Sequence, residues 1–142
     1  MAQGRIMRDV LRAAIFILAL ACGPANAIGM CGSGPRVNCI VDGDTFWLNG
    51  EKFRAVGYDT PETTTNLCGG NVERRLGQQA SRRLMQLFNE TQITLLRQGE
   101  DRYGRTLAVV RSDGVNVGDI LIGEGLARSW PDGCEFWCGA CQ

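Results

Sequence analysis

From residue 36 onward, the chain alternates between apolar and polar positions in the way that β-strands do. Val37, Cys39 and Val41 occupy every second position, and Phe46 and Leu48 share one face of the next stretch. This period of two is typical of strands that lay one face on a core. The sequence therefore predicts that the fold begins with β-structure.

Turn signals and helical periodicity predict the next elements. Asn49-Gly50 is a two-residue hairpin signal and leads into a strand over residues 51–58. After an irregular loop at 60–70, apolar residues recur at helical spacing over 72–89, with Asn71 as the expected N-cap. The opposite face of this helix carries arginines, which we interpret as solvated: Arg74, Arg75, Arg82 and Arg83.

Two more strands and a short helix complete the predicted elements. The strands cover residues 93–97 and 106–111, a turn at 99–105 separates them, and the helix covers 117–126. The order is three strands, helix, two strands, helix. It suits a five-stranded antiparallel barrel with one helix wedged between strands three and four. The predicted fold class is therefore mainly β with helices (α+β).

The first residues have the composition of a secretory signal. Arginines precede an apolar run at 13–22, and Ala25-Asn26-Ala27 fits a cleavage site. Because a bilayer span needs about 20 apolar residues, we expect no stable membrane insertion. The alternatives are an uncleaved anchor or a lipoprotein attached through Cys22. We expect a secreted or periplasmic protein with four segments: a signal peptide at 1–27, a flexible arm at 28–35, one domain at 36–127 and a cysteine-rich tail at 128–142.

Six of the seven cysteines follow the predicted signal peptide. An even number in a small exported domain indicates disulfides, and six cysteines allow fifteen pairings. A zinc site is the alternative, since Cys134, Cys138 and Cys141 have loosely ligand-like spacing. We favour disulfides because the chain contains no histidine. The disulfide candidates are Cys31, Cys39, Cys68, Cys134, Cys138 and Cys141.

Charge and histidine content narrow the chemistry. The chain has 15 basic and 15 acidic residues, so it lacks the basic excess of a nonspecific nucleic-acid binder. With no histidine, catalysis that depends on a histidine base, nucleophile or metal ligand is excluded. Acid–base chemistry must therefore use carboxylates, arginines, tyrosines or a metal ion.

Four short pieces of the chain together suit metal-assisted phosphodiester hydrolysis. The acidic stretches Asp42-Gly43-Asp44 and Asp59-Thr60-Pro61-Glu62 can hold a hard divalent cation through oxygen. Arg54 and Arg105 can fork onto phosphate oxygens. Glu62 is left to activate a water molecule. Taken singly, each piece could be a turn, a cap or a salt bridge, and only their combination favours an enzyme.

The segments at 40–62 and 101–127 resemble the two signature regions of the staphylococcal nuclease (thermonuclease) family, in order and in spacing. The resemblance covers about residues 36–127. It implies an OB-fold barrel and calcium-dependent cleavage of nucleic-acid phosphodiesters. By position, Asp44, Asp59 and the Thr60 carbonyl resemble the Ca²⁺ ligands of the family, with Asp42 beside them.

The same resemblance implies roles for the remaining motif residues. Arg54 and Arg105 correspond to the phosphate clamps, and Glu62 to the residue that activates water. Arg102 and Tyr103 fall where the family contacts the other phosphate of the substrate.

The chain departs from the family pattern in two places. Its loop at 63–70 is uncharged where the family is lysine-rich, which weakens the expected grip on a polyanion. The family's third helix is replaced by the cysteine-rich tail, which we expect to be tied to Cys31, Cys39 or Cys68. Trp130 is expected to cap the core, with stacking on a base as the alternative, and Trp47 is expected to be exposed.

These observations lead to one main functional prediction and two alternatives. We expect an exported, monomeric, calcium-dependent nuclease that acts on single-stranded or denatured DNA and RNA. The first alternative is a secreted accessory protein of exopolysaccharide (succinoglycan-type) biosynthesis with weak or no nuclease activity. The second is a disulfide-stabilised binding module with an inactive site.

Overall fold

A computed structural model describes residues 27–139 and residue 141. The predicted signal peptide lies outside this range except for its last residue, so its cleavage stays a prediction. Within the described residues, neither helix has the length and apolar composition to cross a membrane.

The helices and the longer strands follow one another in the predicted order. Several very short strands are present in addition. The main helix, α1, spans Gly70–Glu90, and α2 spans Val117–Gly123. A 3-10 helix spans Phe136–Cys138. The strands are β1 (Gly29–Met30), β2 (Cys39–Ile40), β3 (Thr45–Leu48), β4 (Glu51–Ala55), β5 (Tyr58–Asp59), β6 (Ile93–Glu100), β7 (Thr106–Ser112), β8 (Val115–Asn116) and β9 (Arg128–Ser129).

Most strands belong to one curled sheet that forms a half-barrel around the core. Their order is β1-β2-β3-β4-β7-β6, and β8 pairs with β7. A separate ribbon joins β5 to β9, with Asp59 opposite Arg128. The α+β class and the half-barrel confirm the predicted OB-like fold. The prediction of five antiparallel strands is wrong, because the sheet has seven strands in the part of the chain that the structure describes, and β4 pairs with β7 in parallel. After α2, the described residues contain one more helical element, the 3-10 helix. This agrees with the expected lack of a third helix.

The β3–β4 hairpin forms where the sequence predicted it. Asn49 and Gly50 both have positive φ, at 52° and 78°, as a type I′ turn requires. The resulting register places Phe46 opposite Phe53, and their rings stack with centroids 5.3 Å apart. Leu84 of α1 and Leu121 of α2 are fully buried in the same core. The sheet and both helices therefore share one core.

Three local predictions are wrong. Helix α1 begins at Gly70 with Gly69 as its N-cap, so Asn71 lies inside the helix and accepts a hydrogen bond from Arg74. Trp47 is half-buried, and its indole nitrogen is buried without a hydrogen-bond partner among the described residues. Trp130 does not cap the core, because it is 54 % exposed, whereas Trp137 is 7 % exposed.

The segment expected to be a loose arm makes defined contacts at its start. Ile28 is buried, and its backbone exchanges two hydrogen bonds with the Asn89 side chain, at 2.8 and 2.9 Å. Next to it, β1 pairs with β2 in parallel. These contacts hold residues 28–30 against the end of α1 and the edge of the sheet.

All six disulfide candidates are paired. The bonds are Cys31–Cys39, Cys68–Cys138 and Cys134–Cys141. The second of these ties the tail to the loop before α1, which is one of the three attachments expected from the sequence. The tail cysteines are therefore disulfide partners in this structure, which is the arrangement that the sequence favoured.

Candidate active site

A tight turn between β2 and β3 buries the first acidic group. The backbone N–H groups of Val41 and Asp42 both donate to the Thr45 carbonyl, at 2.9 and 3.2 Å. Gly43 at the centre of the turn has no room for a side chain, because a Cβ there would lie 2.6 Å from Thr60 Cγ2. This close approach leaves Asp44 only 2 % exposed.

Asp44 makes contacts with both neighbouring strands and with the second acidic stretch. Its Oδ2 accepts hydrogen bonds from the backbone N–H and the hydroxyl of Thr60, both at 3.2 Å. Its Oδ1 accepts from the Thr45 hydroxyl at 3.0 Å and pairs with the Arg54 guanidinium. Arg54 lies next to Asp44 because the hairpin register places it opposite Thr45. Asp42 accepts a hydrogen bond from the Asp44 N–H at 3.2 Å.

Two arginines hold the carboxylate of Asp59. Arg54 Nη2 lies 3.1 Å from Asp59 Oδ1. Arg128 approaches the other oxygen, with Nε 3.0 Å and Nη2 2.9 Å from Oδ2. Sequence reasoning missed Arg128 as a site residue. Strand β9 has only two residues, which is too short for an alternating pattern to reveal it.

Glu62 is placed by a buried glutamate on α1 that sequence reasoning also missed. Glu73 is 1 % exposed, and its two oxygens accept from the backbone N–H groups of Glu62 at 3.2 Å and Gly69 at 2.8 Å. The Glu62 residue itself lines a cavity of about 170 Å³ together with Asp59 and Thr60. Glu62 therefore lies next to Asp59 and Thr60 of the second acidic stretch.

Arg105 shares a second cavity with Arg54. This cavity has a volume of about 250 Å³ and is also lined by Tyr58 and Trp130. Asp101 orients Arg105, whose Nε donates to Asp101 Oδ2 at 2.7 Å and whose backbone N–H donates to Oδ1 at 3.0 Å. The two predicted phosphate clamps therefore lie along one hollow.

Arg102 and Tyr103 lie at the surface of the turn between β6 and β7. Arg102 Nη2 donates to the Tyr103 hydroxyl at 2.6 Å, and Tyr103 is 67 % exposed. The Arg105 guanidinium carbon lies 5.4 Å from the centre of the Tyr103 ring. These two predicted substrate contacts are thus next to Arg105 and not part of the acidic cluster.

Negative charge accumulates around Asp44 and shifts the pKa values of the carboxyl groups. Burial raises the pKa of Asp44 to about 7, the Asp42 and Asp59 charges act in the same direction, and Arg54 opposes them. Burial also raises the pKa of Glu62, with further increases from the charges of Asp44 and Asp59. Clustered carboxylates that repel one another in a partly buried site are stabilised by an additional cation. The oxygen donors of Asp44, Asp59 and Thr60 fit a hard ion such as Ca²⁺.

Comparisons with known proteins find several sequences that are similar to this chain. A family model described as "Staphylococcal nuclease homologue" matches residues 52–133. The chain is 41 % identical over 96 residues to Endonuclease YncB of Bacillus subtilis, which covers 62 % of this chain and 44 % of that protein. It is 40 % identical over 96 residues to the SPbeta prophage-derived endonuclease YokF of the same organism, covering 62 % and 31 %. The chain thus spans less than half the length of these two relatives.

A third relative matches over more of its length. The Thermonuclease of Staphylococcus hyicus is 29 % identical over 133 residues, which covers 84 % of this chain and 77 % of that protein.

Proposed function

Since the chain belongs to the staphylococcal nuclease homologue family, we propose that it is a calcium-dependent nuclease that hydrolyses phosphodiester bonds of DNA and RNA. One observation carries the proposal. Asp44, Arg54 and Asp59 form a continuous network of ion pairs and hydrogen bonds, and the same Arg54 lines a cavity with Arg105. Two acidic residues and two arginines from separate segments thus lie close together, and this supports a role in phosphate hydrolysis.

The acidic residues hold the cation. We assign Asp44, Asp59 and the Thr60 carbonyl as its ligands, with Asp42 beside them. When bound, Ca²⁺ would supply positive charge that polarises the phosphate and balances the developing negative charge. Two hydrogen bonds from Thr60 to Asp44 hold the two acidic stretches together.

The arginines bind the phosphate. Arg54 and Arg105 both line the cavity of about 250 Å³, where the guanidinium N–H groups that do not bind Asp44, Asp59 or Asp101 can donate hydrogen bonds to non-bridging oxygens. Negative charge on these oxygens grows as the new P–O bond forms and the old one breaks. Arg102 and Tyr103, on the same turn as Arg105, are placed to contact the other phosphate of a longer substrate.

Glu62 serves as the proton acceptor for the attacking water. The oxygen of this water bonds to phosphorus, the P–O bond to the leaving group breaks, and the water proton passes to the Glu62 carboxylate. Its raised pKa brings its basicity closer to neutral pH, which favours such a transfer. Glu73 keeps the backbone of Glu62 in place through the hydrogen bond of 3.2 Å.

The proposal also includes the location of the protein outside the cytoplasm and the form of nucleic acid that it cleaves. Three disulfides in a small domain suit the periplasm or the exterior of the cell. Single-stranded or denatured nucleic acid fits best, because an unpaired nucleotide can bring its phosphate to the cavity between Arg54 and Trp130. We propose that the protein acts as a monomer.

Digestion of heat-denatured DNA by the oxidised protein tests the proposal. We expect cleavage in Ca²⁺ that stops when the ion is chelated. Arg105→Lys keeps the charge but loses the fork, so we expect kcat to fall on the order of 100- to 1,000-fold. Arg111→Lys is the matched control, because Arg111 is an exposed β7 residue that donates to the Gly114 carbonyl at 3.2 Å.

Two results would contradict the proposal. One is the absence of cleavage with any divalent ion, and the other is equal activity in Arg105→Lys and wild type. Binding of an acidic exopolysaccharide without DNA hydrolysis would favour the accessory role instead.

A further inference from the structure

We propose that Arg128 is a positioning residue that orients Asp59 for the metal ion, and that the cysteine-rich tail holds Arg128 in place. This inference rests on the proposed function, because it takes Asp59 as a ligand. It adds a residue outside the acidic and arginine motifs, and it gives the tail a role in the site.

The contacts between Arg128 and Asp59 are specific in geometry. Nε and Nη2 of Arg128 lie 3.0 and 2.9 Å from the same oxygen, Asp59 Oδ2. The other oxygen, Oδ1, accepts from Arg54 Nη2 at 3.1 Å. The plane of the carboxylate is therefore fixed from both ends, by one arginine of the sheet and one that follows α2. Mutation of a partner that orients a metal ligand in this way typically lowers metal affinity by about 10- to 100-fold.

The register of the β5–β9 ribbon explains why Arg128 reaches this carboxylate. Asp59 and Arg128 are directly opposite each other in the antiparallel pair. Side chains opposite each other on adjacent strands have Cβ atoms about 5 Å apart, so a salt bridge between them needs no further rearrangement. The backbone pairing thus delivers the guanidinium to Asp59.

The tail surrounds the rest of the guanidinium. Nη1 donates to the Gly133 carbonyl at 2.7 Å, and Nη2 donates to Glu135 Oε1 at 2.7 Å. The Trp130 and Trp137 rings lie 5.0 and 5.9 Å from its central carbon. The Arg128 side chain is only 11 % exposed. These contacts restrict the Arg128 side chain and keep it next to Asp59.

The tail residues pack closely around Arg128. A Cβ on Gly133 would lie 2.4 Å from the Ser129 carbonyl oxygen, so only glycine permits this approach. The Cys68–Cys138 disulfide ties the tail to the loop between Glu62 and α1. A change in the tail is thus transmitted to Asp59 through Arg128.

If Arg128 only neutralised charge, its removal would change metal affinity in the opposite direction from the one that a positioning role predicts. A guanidinium that only neutralised Asp59 would compete with the metal ion, so its removal would tighten metal binding. A positioning role requires the fork, which lysine cannot provide although it keeps the charge. Metal affinity in charge-conserving and charge-removing variants therefore separates the two roles.

The experiment measures the Ca²⁺ dissociation constant of the oxidised full chain by titration calorimetry. We expect Arg128→Lys to weaken binding about 10- to 100-fold. We expect Glu135→Gln, which loosens Arg128 without touching Asp59, to weaken it in the same direction and by less. Arg83→Lys is the matched control, because Arg83 forks onto Glu124 at 2.9 to 3.0 Å between α1 and α2.

The outcomes separate this inference from the proposed function. If the wild type binds no Ca²⁺, the proposed function fails together with the inference. If the wild type binds Ca²⁺ and Arg128→Lys binds it equally well, or Arg128→Gln binds it more tightly, the inference alone is overturned. Glu135→Gln keeps the test valid if Arg128→Lys does not fold, since unchanged affinity in that variant also overturns the role of the tail.

Discussion

Gly77 lets helix α1 touch the segment that carries Glu62. A Cβ at this position would lie 2.5 Å from the Pro61 carbonyl oxygen and 2.8 Å from the Glu62 carbonyl oxygen. Both neighbours are backbone atoms, which cannot move away as a flexible side chain can. The position of Glu62 therefore depends on the absence of a single carbon atom on the helix.

Gly77→Ala tests this close approach. Although alanine is the better helix former, we expect a loss of about 1–3 kcal/mol in the free energy of unfolding, because the added methyl group overpacks a tight contact. Urea unfolding measures the loss, and DNA cleavage should fall with it. Gly123→Ala is the control, since its Cβ would meet nothing within 4 Å. Equal stability of Gly77→Ala and wild type would show that the segment at 61–62 can move freely.

The sequence identified the residues whose chemistry is visible from their type, and it missed those that act through geometry. Asp44, Arg54 and Asp59 belong to a recognisable acid and arginine combination. Glu73 looks like one more polar position on a helix, because its partners are backbone N–H groups that no side-chain pattern records. Arg128 is 69 residues away from Asp59, and only the strand pairing reveals their contact.

At the scale of elements, Glu51 connects three strands of the sheet. It begins β4, accepts from Arg97 Nη2 of β6 at 2.7 Å, and accepts from the Thr106 hydroxyl of β7 at 2.5 Å. The hydrogen bond from Arg97, and then that from Thr106, lower the pKa of Glu51 to about 2. The ionised form of Glu51 is therefore favoured by the folded sheet.

The lowered pKa of Glu51 predicts a contribution to folding stability that depends on pH. Because the folded pKa lies below the usual value of 4.5, the contribution is fully present above pH 4.5 and is lost as the pH falls towards 2. We expect wild type to be more stable than Glu51→Gln at pH 6, and the difference to shrink across this range. Urea unfolding at several pH values measures it. A difference that stays constant from pH 6 to pH 2 would contradict the predicted titration.

Element prediction succeeded where the local signal was strong. The Asn49-Gly50 hairpin, the long helix and the β6–β7 pair appear as expected, because turn chemistry and periodicity determine them locally. The strand predicted over 51–58 divides into β4 and β5, separated by Gly57 with its φ of 88°. The short strands β5 and β9 form because they pair with each other. A local sequence pattern does not record this pairing.

At the scale of the whole molecule, the disulfides differ in how much of the chain they constrain. Cys68–Cys138 joins residues 70 positions apart, whereas Cys31–Cys39 joins residues 8 positions apart. A longer closed loop removes more conformational entropy from the unfolded chain. The bond between the tail and the loop before α1 should therefore matter most for stability.

Paired serine substitutions test this order. We expect Cys68→Ser with Cys138→Ser to lower the free energy of unfolding by about 4 kcal/mol, and Cys31→Ser with Cys39→Ser by about 2.5 kcal/mol. Thermal or urea unfolding without reductant measures both. An equal or reversed order would mean that strain or residual structure in the unfolded chain outweighs loop length.

The number of cysteines predicted that disulfides form, but it did not predict which cysteines pair. An even count in a small domain implies crosslinks, while the choice among fifteen pairings depends on which loops meet in space. The sequence favoured a bond from the tail to one of three cysteines, and Cys68 is the one that the fold brings to Cys138. Family and fold class were thus accessible from the sequence, whereas the cysteine in the loop before α1 that binds the tail was not.

The ribbon that pairs Asp59 with Arg128 has a consequence for biosynthesis. The ribosome releases the aspartate 69 residues before the arginine, an interval of roughly 3–14 seconds at about 5–20 residues per second. During this interval a nascent chain contains both acidic stretches and Arg54, while Arg128, the second arginine that contacts Asp59, is not yet synthesised. If these contacts form during synthesis, Asp59 is held by Arg54 alone until Arg128 has been added.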